Sequence, residues 1–247
     1  MDLGLENKTV LITGGSSGAG KKIVNVFVKA GATVALTYHH STPGRLPKNV
    51  RAYPLDQRDV SQIERLFKSV KNDLGKIDVL VTNAGIYPAK SMDKISQEDW
   101  DEMMETNARS VFFLNREAAR HMKSGSIINI SSINAVNPAS KLIHYGASKA
   151  AVEMITRCMA VELGPKIRVN CIAPGLIYKK GQEEFIPGWT ESYCERSALH
   201  RLVKAEEIGK TALFLASGLS SAITGQIITV DCGVSLAPYF NNHLEEP

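Results

Sequence analysis

The sequence predicts an α/β fold in which helices cover both faces of a parallel sheet, the doubly wound arrangement. Two observations predict it. Short runs rich in β-branched residues alternate along the chain with longer helical patterns, and the first run leads through a glycine turn into a helix that ends near Ala30-Gly31. Strands that alternate with helices are joined by right-handed crossovers, which place the helices on both faces of the sheet.

Seven segments are predicted as strands, and helical patterns fill most of the gaps between them. The segments are Thr9 to Thr13, Thr33 to Thr37, Val50 to Tyr53, Ile77 to Val81, Ser126 to Ser131, Arg168 to Ile172 and Gln226 to Val230. A chain of 247 residues with 44% hydrophobic content can bury a substantial core. We therefore expect a single domain over 1–247 that both binds a dinucleotide and carries the chemistry.

One long stretch, about 175–200, has no clear secondary-structure pattern and is rich in Gly, Pro, Lys and aromatic residues. A loop of this length inside a compact domain is usually a lid or a binding segment, and the alternative is a surface insertion. We favour a substrate lid because Tyr178, Phe185, Trp189 and Tyr193 would be costly to leave permanently in water.

Charge and cysteine content argue against several classes of partner. The net charge of +4 is spread over 29 basic and 25 acidic residues without a block of like charge, so no nucleic-acid partner is expected. No segment approaches the roughly 20 apolar residues that span a bilayer, so we expect a cytoplasmic protein without a membrane partner. The four cysteines form no Cys-x-x-Cys pair, which argues against a metal site or a disulfide framework and favours reduced packing residues.

A glycine-rich turn directly follows the first strand and opens the first helix, where unpaired N–H groups and the helix dipole favour a pyrophosphate. Its expected cofactor-binding residues are Gly14, Ser16, Ser17, Gly18, Ala19 and Gly20. Glycine also serves plain tight turns, but the strand-turn-helix setting favours a dinucleotide. The spacing is Gly-x-x-x-Gly-x-Gly and not the more common Gly-x-Gly-x-x-Gly.

Two further turns are candidates for the adenosine half of the cofactor. Asp56, just past the third strand, is placed to accept a hydrogen bond from an adenine amino group, and a turn-forming aspartate is an equal alternative. Asn83, Ala84 and Gly85 follow the fourth strand, beside the glycine turn at the topological switch point. Small residues there leave room for adenosine, and a simple turn is the alternative.

The end of the second strand bears on the choice between NAD and NADP. An acidic residue there would hold the ribose 2′-hydroxyl of NAD, whereas a basic one would accommodate the 2′-phosphate of NADP. The segment Leu36 to Ser41, which includes Tyr38 and His39, has no carboxylate, and His39, Ser41 or Arg45 could contact a phosphate. We favour NADP over NAD, with surface histidines on a loop as the alternative.

The catalytic candidates are Ser132, at the end of the fifth strand, and Tyr145 and Lys149, which begin thirteen residues later. Tyr145 and Lys149 are four apart and share one helical face. We expect the lysine cation and an oxidised nicotinamide to lower the tyrosine pKa from its usual value near 10. Ser132 can donate a hydrogen bond to the substrate oxygen. The alternative, an amphipathic helix with a solvated lysine, is disfavoured by the other motifs.

Taken in order, these motifs resemble the short-chain dehydrogenase/reductase family over nearly the whole chain. The matching residues are Thr13-Gly14, Gly18, Gly20, Asp56, Asn83-Ala84-Gly85, Asn107, Ser132, Tyr145, Lys149, Pro174-Gly175 and Thr224-Gly225-Gln226. The resemblance implies a Rossmann-type, seven-stranded parallel sheet and hydride transfer between NAD(P) and a small carbonyl or alcohol. It further implies that Asn107 and Lys149 hold a proton-relay water, that Pro174 and Gly175 contact the cofactor, and that the protein is a homotetramer packed through helices near 99–122 and 145–163.

Four positions depart from the family pattern. Thr82 replaces the usual first Asn of Asn-Asn-Ala-Gly, and Ser17 lacks the arginine frequent in NADP-preferring relatives. Lys179 lies near the place of a threonine that contacts the nicotinamide amide. Cys232 stands where a Val-Asp-Gly-Gly segment usually has its first glycine. These positions bear on cofactor choice and on how the nicotinamide is held.

The substrate stays open among a 3-oxoacyl thioester, a sugar or polyol and a xenobiotic carbonyl compound. The expected pocket segments, Ile133 to Ile143, Tyr87-Pro88 and Tyr178 to Tyr193, have no diagnostic charge pattern. A second functional class is a regulator or scaffold that binds the cofactor without turnover. Loss of the tyrosine or the lysine is its usual mark, and both are present here.

Overall fold

A central parallel sheet organises the chain, of which the computed structural model describes residues 3–178 and 188–236. Its seven strands are arranged in the order β3-β2-β1-β4-β5-β6-β7, and all neighbours run parallel. They are β1 Thr9–Ile12, β2 Thr33–Tyr38, β3 Val50–Pro54, β4 Val79–Thr82, β5 Gly125–Ile130, β6 Ile167–Pro174 and β7 Ile227–Val230. The predicted doubly wound, seven-stranded fold is confirmed. Strand β6 runs two residues beyond the prediction, because Ala173 and Pro174 still pair with β7.

Helices follow most strands and cover both faces of the sheet. They are α1 Gly18–Lys29, α2 Val60–Leu74, α3 Gln97–Met104, α4 Ser110–His121, α5 Ile143–Leu163, α6 Trp189–Arg196 and α7 Ala205–Ala216. Helix α2 shows why these segments are helical. Its buried side chains recur every three or four residues, and the Asp59 carboxylate accepts hydrogen bonds from the amides of Ser61 and Gln62 at its N-terminus.

The core consists of two apolar layers separated by the sheet. Helices α1 and α7 pack together on one face, where Ile23 and Phe27 are fully buried. Helices α2, α4 and α5 cover the other face, where Ile63 and Phe67 are fully buried. This division leaves the carboxyl ends of the strands, rather than either face, for a ligand.

A π-helical turn, Glu105–Arg109, joins α3 to α4. Asn107 lies within this turn and is fully buried. The 3.6-residue period of an α-helix does not predict the extra residue of a π turn. Such turns occur frequently at functional sites.

The predicted lid is described in part. Residues 179–187, with Phe185 and Lys179, lie outside the described residues, as does the side chain of Trp189. Tyr193, on α6, is buried, whereas Tyr178 is exposed. Within 3–178 and 188–236, no helix is both long enough and apolar enough to cross a membrane, and no cluster of metal-ligating side chains is present. The four cysteines are free thiols.

Candidate active site

The crevice between the ends of β1 and β4 is held together by the Thr13 side chain. Its Oγ1 accepts hydrogen bonds from the backbone amides of Asn83 and Ala84, both at 3.0 Å. Asn83 Nδ2 in turn donates to the carbonyl of Thr13 at 3.0 Å. The two turns that the sequence assigned to the cofactor are therefore neighbours. The role of the Thr13 hydroxyl was not predicted, and its position at the end of β1 was the available signal.

The glycine turn is packed too closely for larger residues at two of its positions. A Cβ on Gly20 would lie 2.1 Å from the Gly14 carbonyl oxygen, and one on Gly14 would lie 3.0 Å from Ala84. Gly14 and Gly18 also have positive φ angles of 65° and 53°. Ser16 and Ala19 are partly buried in this turn, and Ser17 is the N-cap residue of α1.

The space at this helix N-terminus suits a pyrophosphate. Within the described residues, a Cβ on Gly18 would meet no atom within 4 Å, and the Ser17 side chain makes no capping hydrogen bond. The Ser17 side chain therefore does not cap the first N–H groups of α1. These residues fit the phosphates of a dinucleotide.

The residues expected around the adenosine meet at the carboxyl ends of β2 and β3. The carbonyl of Tyr38 accepts from the amide of Leu55 at 2.8 Å, which aligns the two strand ends. His39 Nε2 lies 3.9 Å from Asp56 Oδ2. The structure therefore places Tyr38, His39 and Asp56 at one edge of the crevice.

Arg58, which the sequence interpretation missed, holds the Asp56 carboxylate. Its Nε and Nη2 donate to the two Asp56 oxygens at 3.1 and 2.9 Å, and these bonds are the main reason that the pKa of Asp56 falls to about 2. The Asp-x-Arg spacing was the available signal, because the Arg58 amide also donates to Asp56 Oδ1 across the same turn. Asp56 is thus an ionised hydrogen-bond acceptor at neutral pH.

Lys149 is buried, with 5% of its surface exposed, so the alternative of a solvated lysine is excluded. Its Nζ donates to the carbonyl of Ile130 at 2.9 Å and lies 5.7 Å from the centroid of the Tyr145 ring. Burial lowers the pKa of this ammonium to about 8, and the Cys171 thiol opposes the effect. The ordered carbonyl at the end of β5 thus fixes the lysine below the tyrosine ring.

The pKa of Tyr145 is raised in the structure, whereas the sequence predicted that it would be lowered. Burial is the largest cause, and the Tyr87 phenol adds to it. The nearby Ser132 side chain acts in the opposite direction but does not outweigh burial. The prediction counted the charges of Lys149 and of an oxidised nicotinamide, and it did not count the loss of water around the phenol, which is the largest effect in the protein alone. Tyr145 is protonated at neutral pH, which is the form that donates a proton to a carbonyl oxygen.

Asn107 and Lys149 both border Gly85. A Cβ on Gly85 would be 2.9 Å from Asn107 Oδ1 and 3.6 Å from Lys149 Nζ. Asn107 Oδ1 accepts from the amide of Ile86 at 2.9 Å, and its Nδ2 donates to the Ile86 carbonyl at 2.8 Å and to Ser148 Oγ at 3.2 Å. Ile86 and Ser148 were not singled out from the sequence, since the first acts through its backbone.

Pro174 ends β6, and Gly175 follows it beside the last strand. The Gly175 amide donates to the carbonyl of Val230 at 2.9 Å. A Cβ on Gly175 would lie 2.8 Å from the Asp231 Cβ and 2.9 Å from the Tyr193 hydroxyl, so only glycine fits. The Tyr193 hydroxyl also accepts from the Leu176 amide at 2.9 Å, which joins α6 to this turn.

Two of the departures from the family pattern have visible consequences. Thr82 Oγ1 donates to Asn129 Oδ1 at 2.8 Å, and Asn129 Nδ2 donates to Thr156 Oγ1 at 3.0 Å, so the buried hydroxyl is satisfied. Cys232 has a positive φ of 56°, in the left-handed region that favours glycine. The threonine at position 82 is therefore accommodated, whereas the backbone at Cys232 is strained.

A parallel sheet with a glycine-rich helix N-terminus at its switch point, together with Ser132, Tyr145 and Lys149, is the arrangement of a nicotinamide-dependent oxidoreductase. Comparison with known proteins supports this class of enzyme. Residues 14–235 match a protein family described as enoyl-(acyl carrier protein) reductase. The chain is 37% identical over 242 residues to the 3-oxoacyl-(acyl-carrier-protein) reductase FabG of Thermotoga maritima, covering 93% of this chain and 98% of that one.

Solved structures give the same result. A short-chain dehydrogenase/reductase of the glucose/ribitol dehydrogenase type from Brucella melitensis superposes with a TM-score of 0.88 at 32% identity, over 95% of this chain and 99% of that one. The aldohexose dehydrogenase of Thermoplasma acidophilum gives a TM-score of 0.89 at 27% identity, over 96% and 97% of the two chains. The chain belongs to the short-chain dehydrogenase/reductase family and is an NAD(P)-dependent oxidoreductase.

Proposed function

We propose that the protein reduces a small carbonyl compound with NADPH, using Tyr145 as the proton donor. The observation that supports this most directly is the cluster in which the buried Lys149 ammonium lies 5.7 Å from the centroid of the partly buried Tyr145 ring. Burial keeps the Tyr145 phenol protonated, as a general acid requires. The same residues act in reverse when an alcohol is oxidised.

Each side chain of the cluster has a distinct role in this proposal. Tyr145 donates a proton from its hydroxyl to the substrate oxygen, and Ser132 donates a hydrogen bond to the same oxygen as negative charge develops there. Lys149, fixed by the Ile130 carbonyl, stabilises the phenolate that remains. Asn107 positions the Ile86 backbone beside Lys149, where a water can return the proton.

The proposed cofactor site combines the residues described above. Gly14, Ser16, Ser17, Gly18, Ala19 and Gly20 would hold the pyrophosphate, Tyr38, His39, Asp56, Asn83, Ala84 and Gly85 the adenosine half, and Tyr145, Lys149, Pro174 and Gly175 the nicotinamide half. When bound, the nicotinamide supplies or accepts the hydride. NADP is favoured over NAD because the end of β2 itself carries His39 and no carboxylate, and the nearby Asp56 carboxylate is paired with Arg58.

The substrate class proposed is a 3-oxoacyl thioester, a sugar or a small ketone. The relatives include 3-oxoacyl-(acyl-carrier-protein) reductases and a gluconate 5-dehydrogenase. Tyr87 supports a pocket next to Tyr145, since it is 58% exposed and its ring meets the Tyr145 ring edge-on at 6.4 Å. A 3-oxoacyl thioester is the first substrate to test, because the 37% and 35% identical relatives are reductases of that class.

The test is the change in cofactor absorbance with NADPH and NADH against 3-oxoacyl thioesters, sugars, ketones and aldehydes. Tyr145→Phe should lower turnover by roughly 10²- to 10⁴-fold while cofactor binding persists. Tyr53→Phe is the matched control, since that phenol bonds Asp73 at the sheet edge, and it should leave turnover unchanged. Equal turnover in the Tyr145 variant would refute the assigned role.

A regulator that binds cofactor without turnover is the second candidate. It would be supported if NADPH bound tightly and no carbonyl or alcohol of the panel were converted in either direction. The buried Lys149 favours the enzyme, because a binding protein has no need to bury an ammonium.

Assembly, domain organisation and location complete the proposal. We expect a homotetramer packed through the helices near 99–122 and 145–163, which carry exposed apolar side chains such as Phe112, Met154 and Val161. Sedimentation showing only monomer at working concentration would contradict the tetramer.

A single domain over 1–247 predicts one cooperative unfolding transition. The proposed cytoplasmic location is checked by cell fractionation.

A further inference from the structure

The Gln57 side chain joins two turns that the proposed function assigns to different parts of the reaction. Gln57 directly follows Asp56 and is buried, with 8% of its surface exposed. Its Nε2 donates to the Ala84 carbonyl at 3.2 Å and to the Thr106 carbonyl at 2.7 Å. One amide group therefore connects two segments that are far apart along the chain.

The first segment is the cofactor turn, residues 83–86, which borders the glycine turn. The Ala84 amide donates to Thr13 Oγ1 at 3.0 Å, and a Cβ on Gly14 would lie 3.0 Å from the Ala84 Cα. A shift of Ala84 would therefore disturb the end of β1 as well as the crevice where the cofactor is proposed to bind.

The second segment is the π turn Glu105–Arg109. Thr106 lies in it directly before Asn107, whose side-chain amide holds both backbone groups of Ile86 at 2.9 and 2.8 Å. The π turn and the cofactor turn are thus connected at two points, by the Gln57 amide and by the Asn107 amide. Because both amides are buried, water does not compete for these bonds.

Packing alone does not account for an amide at position 57. Both Nε2 hydrogens are used, but the buried Oε1 of Gln57 has no hydrogen-bond partner among the described residues. A buried acceptor without a partner is unfavourable, and an apolar side chain of the same length would avoid that cost. The two donated bonds are therefore what distinguishes Gln57 from an apolar residue.

We propose that Gln57 is a positioning residue, which holds the cofactor turn against the π turn so that cofactor binding orders the turn that carries Asn107. The inference rests on the proposed function, which assigns the adenosine half to the cofactor turn and the relay water to Asn107 and Lys149. When the adenosine half packs on the cofactor turn, the Ala84 carbonyl is fixed. The shared Gln57 amide then fixes the Thr106 carbonyl with it.

Gln57→Met tests this bridge, because methionine has nearly the same length and donates no hydrogen bond. NADPH should bind about three- to tenfold more weakly in a fluorescence titration, the range that corresponds to the loss of modest hydrogen bonds. Turnover at saturating NADPH should fall by about the same factor, since Asn107 is then held less firmly. Gln57→Leu is the second variant without a donor, should the methionine protein not fold.

Hydrogen–deuterium exchange distinguishes positioning from a general loss of stability. In the wild type, saturating NADPH should slow exchange both in peptides that cover 83–87 and in peptides that cover 104–110. In Gln57→Met saturated with NADPH, the first segment should stay protected, whereas the second should lose at least half of its protection. A variant that was merely destabilised would exchange faster in both segments, with and without NADPH.

Gln97→Met is the matched control, because this amide is exposed on α3 and donates to Asp101 at 3.4 Å. It should match the wild type in affinity, turnover and exchange. The inference is overturned if Gln57→Met equals the wild type in NADPH affinity, in turnover or in the protection of 104–110.

The same measurements separate failure of the inference from failure of the proposed function. A wild type that binds NADPH but converts no substrate of the panel would refute the proposed reduction. Affinity and exchange of Gln57→Met would then decide the inference by themselves. If neither NADPH nor NADH protected either segment of the wild type, the proposed cofactor site and the inference would both be overturned.

Discussion

Replacing Lys149 by methionine measures what it costs to bury the ammonium in the active site. The pKa of Lys149 falls from 10.5 to about 8, chiefly because of burial. At about 1.4 kcal/mol for each pKa unit, this depression corresponds to roughly 3 kcal/mol. The unfolded chain keeps its proton up to a pH of about 10.4, whereas the folded chain releases it near pH 8. Between these values the unfolded state binds more protons, so stability rises with pH.

The prediction concerns the difference in free energy of unfolding between the wild type and Lys149→Met. That difference should be constant below pH 8 and should shift in favour of the wild type by roughly 3 kcal/mol as the pH approaches 10. Urea unfolding of both proteins at matched concentration, at pH 7, 8, 9 and 10, provides the values. Other titrating groups cancel in the difference.

Val152→Ala is the matched control, because Val152 is fully buried on the same helix and has no titratable group. Its unfolding free energy should run parallel to that of the wild type at every pH. If the Lys149→Met difference also stayed parallel, the folded-state pKa of Lys149 would be ordinary, and the argument from burial would be wrong.

Two further substitutions test backbone positions. Cys232→Gly should stabilise the protein by about 0.5–1 kcal/mol in urea unfolding, since relief of the left-handed backbone exceeds the entropy that glycine loses on folding; a lower midpoint would contradict the strain. Gly20→Ala should destabilise by about 1–3 kcal/mol and weaken NADPH binding in fluorescence titrations, because its Cβ would meet the Gly14 carbonyl at 2.1 Å. Gly44→Ala, with open space around it, should change neither, and equal effects would refute the packing argument.

Periodicity and motif spacing predicted the sheet, because each buried strand is a continuous apolar run set between helical patterns. The four-residue spacing placed Tyr145 and Lys149 on one helical face, and Ser132 was expected beside them at the end of the neighbouring strand. The sequence pattern could not predict how far water is excluded from each catalytic side chain. The pKa of Tyr145 depends on how much water the fold removes, and no local sequence signal reports that quantity.

Contacts made by backbone atoms were likewise beyond the sequence. Lys149 is fixed by the carbonyl of Ile130, and Asn107 by both backbone groups of Ile86. Every residue type has these backbone groups, so the presence of isoleucine at positions 86 and 130 does not predict the contacts. Arg58 differs, since its charge and its spacing from Asp56 were visible, and it was missed because a carboxylate was weighed alone.

The π turn at Glu105–Arg109 separates two helices that are continuous along the chain. One extra residue in a turn rotates everything beyond it by about 100° relative to a regular α-helix. Helix α3 can therefore face α5, while α4 faces α2 and the sheet. The rotation of α3 about its axis is therefore set separately from that of α4, so the length or surface of α3 can change without turning the packed face of α4 out of the core. Asn107, inside the turn, belongs to neither repeat and stays directed at the catalytic centre.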